Sequence, residues 1–130
     1  MKPKNIATIA FLMLAISVVT GAIGAHALKE KLCDSCLNTF ETGAKYNFYG
    51  ALTLLSIAAL SAGSRVYFSW SLAIVLLGII LFSGGCYIAA FREIYPTLGQ
   101  TGSKIAPFGG IFMIVGYVIM ALQSYRHPLK

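Results

Sequence analysis

The chain has 130 residues, of which 58% are hydrophobic and only 11% charged, and its mean hydropathy is +0.79. In soluble domains about a quarter of all residues are charged. A chain this short could not bury so much apolar surface in water. A water-soluble globular protein is therefore excluded. The formal net charge is +6, and the ten basic residues are scattered over both ends and every connection. Basic flanks of this kind are usual for membrane proteins, so nucleic-acid binding is not predicted.

The distribution of the charges predicts four transmembrane helices. Charged residues other than Arg65 are confined to residues 1–4, 29–45, 92–104 and 126–130. The charge-free stretches between them approach or exceed the roughly 20 apolar residues with which a helix crosses a bilayer. We therefore expect an all-α polytopic membrane protein, a single domain of four antiparallel transmembrane helices. The predicted spans are 5–28, 46–63, 66–91 and 105–124, and residues 29–45 are the predicted extramembrane connection.

Small residues recur along the first span. Ser17, Gly21 and Ala25 follow one another at intervals of four, and Gly24 lies beside them. In lipid, helices associate by close backbone approach at such faces rather than by burial of apolar surface. The pattern predicts a helix-packing face on the first helix.

The first span also has an alternative interpretation as a cleaved signal peptide. Lys2 and Lys4 precede an apolar core, and Ala25-His26-Ala27 has the form of a cleavage site. The apolar stretch continues to Leu28, however, beyond a typical signal core. We expect the first helix to be retained.

His26 is the ionisable residue within the spans, near the end of the first one. Intramembrane ionisable groups are candidate functional residues. A proton relay or a metal site needs partners, but no Asp or Glu lies in any span and the second histidine, His127, is in the tail. The pattern therefore favours a neutral imidazole that bonds to another helix or to water at the interface.

The first connection contains the motif Cys33-x-x-Cys36. Two thiols at this spacing can close a disulfide, or one of them can be activated for exchange. The motif lacks the strand-to-helix context of a thioredoxin-like site, so a structural disulfide is favoured over redox catalysis. Asn38 and Glu41 have the spacing of a capping box, which predicts that the second helix begins near Thr39.

The remaining elements are delimited by glycine and proline. Gly63-Ser64-Arg65 predicts a tight turn before the third helix, and Gly84 with Gly85 predicts a close helix crossing within it. Pro96, Gly99 and Gly102 are expected to interrupt helical structure between the third and fourth helices. The fourth helix should then begin at Ile105 or Pro107, where a proline is tolerated in the first turn, with Gly109 and Gly110 as further packing residues.

No catalytic chemistry is predicted. No serine, threonine or cysteine has a nearby base in the sequence, and no phosphate-binding glycine loop is present. We expect no enzyme activity, no cofactor and no metal.

Four segments, in this order, resemble a known family: Gly21–Leu28 (GAIGAHAL), Phe40–Tyr46 (FETGAKY), Leu81–Gly84 (LFSG) and Ile105–Gly110 (IAPFGG). They resemble the YgdD/YwdK-like small integral membrane proteins, the domain-of-unknown-function family 423. The resemblance implies a retained first helix, four spans and a bacterial inner-membrane location, but no activity. Gly50 stands where the family usually has a histidine, which makes a paired histidine site less plausible in this chain.

The functional expectation is a packing or accessory protein of the inner membrane. Its expected partners are the lipid bilayer and either other membrane proteins or a second copy of the chain. The alternatives are a small-solute or ion conduit, and thiol redox through Cys33 and Cys36.

Lys and Arg divide five against five between the two sides of the membrane, so the positive-inside rule does not orient the chain. The four acidic residues lie on the side of the membrane that carries residues 29–45, opposite the two termini. We expect both termini in the cytoplasm.

Overall fold

The computed structural model describes residues 2–63 and 69–126, and this part of the chain forms four helices. Helix α1 is Pro3–Ala22 and continues as a π-helical turn, Ile23–Ala27; α2 is Asp34–Gly63, α3 is Ser69–Ala90 and α4 is Pro96–Arg126. Residues 64 and 65 of the predicted turn, and the start of the span predicted at residue 66, lie outside the described residues.

The helices are antiparallel and pack in chain order, α1 on α2, α2 on α3 and α3 on α4. Side chains also reach across the diagonals: Thr20 of α1 lies 3.3 Å from the Tyr87 hydroxyl of α3, and Thr53 of α2 lies 3.4 Å from the Tyr117 hydroxyl of α4. All four helices contribute to one apolar core. The predicted four-helix bundle of a membrane protein is confirmed.

Among the described residues, three helices are long and apolar enough to cross a membrane: Pro3–Ala27, Trp70–Ala90 and Pro96–Arg126. Helix α2, with 30 residues, is nearly as long as α4, with 31, but differs in composition. Its first half carries Asp34, Glu41 and Lys45, and only residues 46–63 are free of charge. The first half of α2 is therefore suited to the bilayer interface rather than to its centre.

Helix α2 presents a seven-residue repeat to α3. Cys36, Gly43, Gly50 and Ile57 are all buried at this interval. A Cβ placed on Gly43 would lie 3.0 Å from Ser83 O, and one on Gly50 would lie 2.8 Å from Cγ1 of Ile79. A larger side chain at position 50 would have to displace the Ile79 side chain.

The closest contact in the bundle is a glycine seam between α3 and α4. It consists of Gly78 and Gly85 on α3 and Gly102, Gly109 and Gly116 on α4, again at intervals of seven residues. A Cβ at Gly85 would lie 2.7 Å from Ala106 N, and one at Gly78 would lie 2.7 Å from Met113 N. Real side chains do not tolerate such distances, so the glycines let the two backbones touch. A seven-residue period keeps two supercoiled helices in register.

Two predicted helix starts are wrong. Helix α2 begins at Asp34 rather than near Thr39, because the chain is already helical within the cysteine motif, where Leu37 N–H donates to Cys33 O at 2.8 Å. Helix α4 begins at Pro96, so Gly99 and Gly102 are inside a helix and Pro107 lies within it. These glycines do not break α4, because the chain packs so closely against them that a side chain would not fit. Gly102, for example, lies beside Gly85 O and Ala89 N of α3. Pro107 is exposed; a proline inside a membrane helix is tolerated where hydroxyl side chains, water or a local backbone adjustment satisfy the backbone group that it frees.

The predicted packing residues divide into two groups. Ser17, Gly24, Gly85 and Gly109 are buried in helix contacts; a Cβ placed on Gly24, for example, would lie 3.3 Å from the ring of Phe40. Gly21 and Ala25 are exposed, and a Cβ on Gly21 or Gly84 would meet nothing within 4 Å. A Cβ on Gly110 would make only ordinary contact with the Phe82 ring, at 3.6 Å. Within the described residues, the close crossing predicted at Gly84 and Gly85 is thus formed by Gly85, and Gly21 of the predicted α1 face forms no close contact.

A polar contact joins α1 and α2 in the interior. Asn47 of α2 is only 8% exposed, and its side-chain amide donates to Ser17 Oγ at 2.7 Å and to Met13 O at 3.1 Å. Ser17 Oγ in turn donates to Met13 O at 2.9 Å. Both polar side chains are thereby satisfied away from water, as a lipid environment requires.

Candidate functional site

The densest group of reactive side chains lies at the end of the bundle where α2 begins and α3 ends, here called the cysteine rim (residues 33–39 and 89–93). Cys33 and Cys36 form a disulfide with their Cα atoms 5.0 Å apart. The disulfide considered from the sequence is therefore present. It closes the first turn of α2, and the backbone N–H of Cys36 donates to Cys33 Sγ at 3.1 Å.

The two sulfurs are unequally accessible. Cys36 is fully buried in a small apolar cluster with Leu32, Phe40 and Ala90, whereas Cys33 is only partly buried. A reactant approaching from the solvent would therefore meet Cys33 first. Because Cys33 adjoins the N-terminus of α2, its thiolate would be stabilised by the free backbone amides there.

Arg92 links the end of α3 to the cysteine motif. Its Nη2 donates to Ser35 Oγ at 2.8 Å, and its Nη1 lies 3.4 Å from Thr39 Oγ1. Gly99 allows the start of α4 to lie directly on the Arg92 backbone, since a Cβ there would be 2.8 Å from Arg92 N. The guanidinium is thus held as a positive charge beside the residues that separate the two cysteines.

Glu93 follows Arg92 and completes the rim. One carboxylate oxygen of Glu93 and the sulfurs of Cys33 and Cys36 all lie within 4.8 Å of one another. Sequence reasoning identified neither Arg92 nor Glu93, because they are almost 60 residues from the motif along the chain and no local pattern connects them. The structure brings them to the cysteines through the α2–α3 contact.

His26 is not part of this cluster. It lies in the π-helical turn, where Leu28 N–H donates to Ile23 O at 3.0 Å, and its ring is exposed. Among the described residues no side-chain hydrogen bond to His26 is formed. Of the two partners expected for His26, another helix is therefore not seen among the described residues, and the bond to water stays a prediction.

Of the hydroxyls that could line a conduit, Ser83 Oγ is buried without a hydrogen-bond partner among the described residues, whereas three others donate within their own helices. Thr20 donates to Ile16 O, Thr53 to Tyr49 O and Ser56 to Leu52 O. The grooves described between helices are lined mainly by apolar side chains; one of about 290 Å³, for example, lies between Tyr46, Phe82 and Tyr117.

Comparison with known proteins assigns the family. Residues 20–110 match the model of the family described as protein of unknown function (DUF423). The chain is 33% identical over 111 residues to a UPF0382 membrane protein of Staphylococcus aureus, covering 85% of this chain and 87% of that protein. It is 32% identical over 117 residues to the UPF0382 membrane protein YwdK of Bacillus subtilis, covering 86% and 89% of the two chains. No solved structure matches. This chain therefore belongs to the DUF423 family of membrane proteins, whose function is unknown.

Proposed function

We propose that this protein is a non-enzymatic accessory component of the bacterial inner membrane, with both termini in the cytoplasm, and that it acts through helix contacts with other membrane components. The observation that carries the proposal is the exposure of α1. Within the described residues α1 packs along α2 and leaves its other side uncovered; Phe11, Ile16 and Val18 are 62%, 52% and 66% exposed.

The open side of α1 has the composition of a helix-binding face. Gly21 and Ala25 are exposed, and beside them a groove of about 360 Å³ runs between α1 and α2 along Ala44, Phe48 and Tyr49. Lipid surrounds such a face without excluding a protein partner. Small side chains let a further helix approach closely and gain dispersion contacts along its length.

Gly21→Leu tests the proposal without disturbing the bundle. Because nothing lies within 4 Å of a Cβ at Gly21, we expect the variant to fold with the parental melting temperature but to lose association with its membrane partner or second copy. Gly84→Leu is the matched control, because its Cβ also has open space on α3. The readout is quantitative mass spectrometry of proteins co-purified in mild detergent, together with native mass spectrometry for self-association. Equal recovery of all partners with both variants would contradict the proposal.

Thiol exchange at the cysteine rim is the second candidate function, favoured by the unequal exposure of the two cysteines and by the adjacent Arg92. A partner thiolate would attack Cys33 Sγ and form a mixed disulfide. The Cys33–Cys36 bond would break, and Cys36 would leave as a thiolate beside the helix N-terminus. A second partner thiolate would then release the reduced pair and leave the partner oxidised.

Replacement of both cysteines distinguishes thiol exchange from a disulfide that has only a structural role. We expect Cys33→Ser with Cys36→Ala to fold and to lose at most about 2 kcal/mol of stability, because the disulfide closes a very short loop. Alanine is used at position 36 because a serine hydroxyl would be buried there without a partner. Under the accessory proposal, partner recovery is unchanged in this variant. Loss of partner recovery from a protein with a normal melting profile would favour thiol exchange instead.

A further inference from the structure

We propose that the cysteine rim in its reduced form binds one Zn²⁺ ion through Cys33 Sγ, Cys36 Sγ and the Glu93 carboxylate. This inference does not depend on the accessory role. It concerns a metal site that the sequence did not predict, because Glu93 joins the two cysteines only in the folded bundle.

The positions of the three ligand atoms fit one ion. Zn²⁺ takes thiolates at about 2.3 Å and carboxylate oxygens at about 2.0–2.2 Å, so two ligands of a tetrahedral ion lie roughly 3.5–3.8 Å apart. Here the three atoms lie within 4.8 Å of one another. Once the disulfide is open, a small rotation of the side chains is enough to enclose an ion. Three protein ligands leave the fourth position for water.

The surroundings favour thiolate ligands and offset their charge. Zn²⁺ with two thiolates and one carboxylate has a net charge of −1. The Arg92 guanidinium donates to Ser35 Oγ at 2.8 Å, within the cysteine motif, and places a positive charge beside the site that offsets this charge. Exposed carboxylates commonly lie near other acidic groups without binding metal. Glu93 differs from them in facing a sulfur pair whose inner member, Cys36, is fully buried and held in place.

The chemistry links the metal to the redox state of the pair. A thiol reductant supplies two electrons and two protons, which convert the disulfide to two thiols and leave the reductant oxidised. Binding of Zn²⁺ then releases the two thiol protons as the thiolates coordinate the ion. The disulfide form cannot supply these ligands, so oxidation and metal binding exclude each other.

The test uses the full-length protein in detergent, reduced with a phosphine and titrated with Zn²⁺, and with Co²⁺ as a spectroscopic probe. We expect one ion per chain, two protons released per ion, and a thiolate-to-cobalt charge-transfer band with tetrahedral d–d intensity. The oxidised protein should show neither the band nor the stoichiometry.

Two variants assign the ligands. Cys33→Ser with Cys36→Ala should abolish the band, and Glu93→Gln should weaken Co²⁺ binding by at least about tenfold, since loss of even an outer-shell partner costs about 10–100-fold. Glu41→Gln is the control, because Glu41 pairs with Lys45 on α2 at 3.7 Å and is not among the ligands. The proposal is overturned if the reduced protein binds no ion, if binding survives loss of both cysteines, or if Glu93→Gln binds as tightly as the parent.

Discussion

Gly109→Ala is expected to destabilise the bundle strongly, whereas Gly110→Ala, one residue further along α4, should leave it unchanged or slightly more stable. A Cβ at position 109 would lie 2.7 Å from Phe82 Cα and 2.8 Å from Gly78 O. These are backbone atoms, which no side-chain rotation can move away. A Cβ at position 110 would lie 3.6 Å from the Phe82 ring, an ordinary contact distance.

The expected magnitudes follow from this difference. Overpacking a close contact costs about 1–3 kcal/mol, and a clash with backbone falls at the upper end of that range because α3 and α4 must separate as units. At position 110, alanine removes the helix penalty of glycine, up to about 1 kcal/mol. Reversible unfolding in mixed micelles, followed by circular dichroism, measures both variants. Equal unfolding midpoints for the two alanine variants would show that the glycine seam does not hold α3 against α4.

Asn47→Ala is expected to cost about 2 kcal/mol and to loosen α1 from α2. The substitution removes the donors to Ser17 Oγ and Met13 O and leaves a gap at a buried position. A single hydrogen bond between membrane helices averages only about 0.6 kcal/mol. The two bonds and the lost packing together give the larger value.

Two comparisons isolate this contribution. Asn38→Ala on the same helix is the control, because Asn38 is exposed. A double-mutant cycle with Ser17→Ala then measures the coupling between Asn47 and Ser17, which we expect to be positive and about 0.5–1 kcal/mol. Additive effects of the two substitutions would mean that the hydrogen bond contributes nothing beyond the individual side chains.

Most of the architecture follows from charge placement alone. Because charges do not enter the hydrocarbon core without partners, the charge-free stretches marked the helices and their antiparallel order. The helix starts were less predictable. The glycines at 99 and 102 have the local appearance of chain breakers, but in the folded protein they are the contact surface of α4. The prediction interpreted these two glycines as flexible positions that interrupt a helix, whereas they lack a side chain because the backbone of α3 and of Arg92, which follows it, packs directly against them.

By itself the sequence determined that this protein is a membrane-embedded bundle of helices, since apolar length and the exclusion of charge from lipid depend on no tertiary contact. Only the tertiary structure decided which small residues carry the packing. Gly84 and Gly85, like Gly109 and Gly110, are neighbours of identical chemistry, and helix rotation alone turns one of each pair to the partner backbone. The same holds for the cysteine rim. Glu93 approaches Cys33 and Cys36 because the α2–α3 contact joins positions that are distant in the chain, and no local pattern encodes that distance.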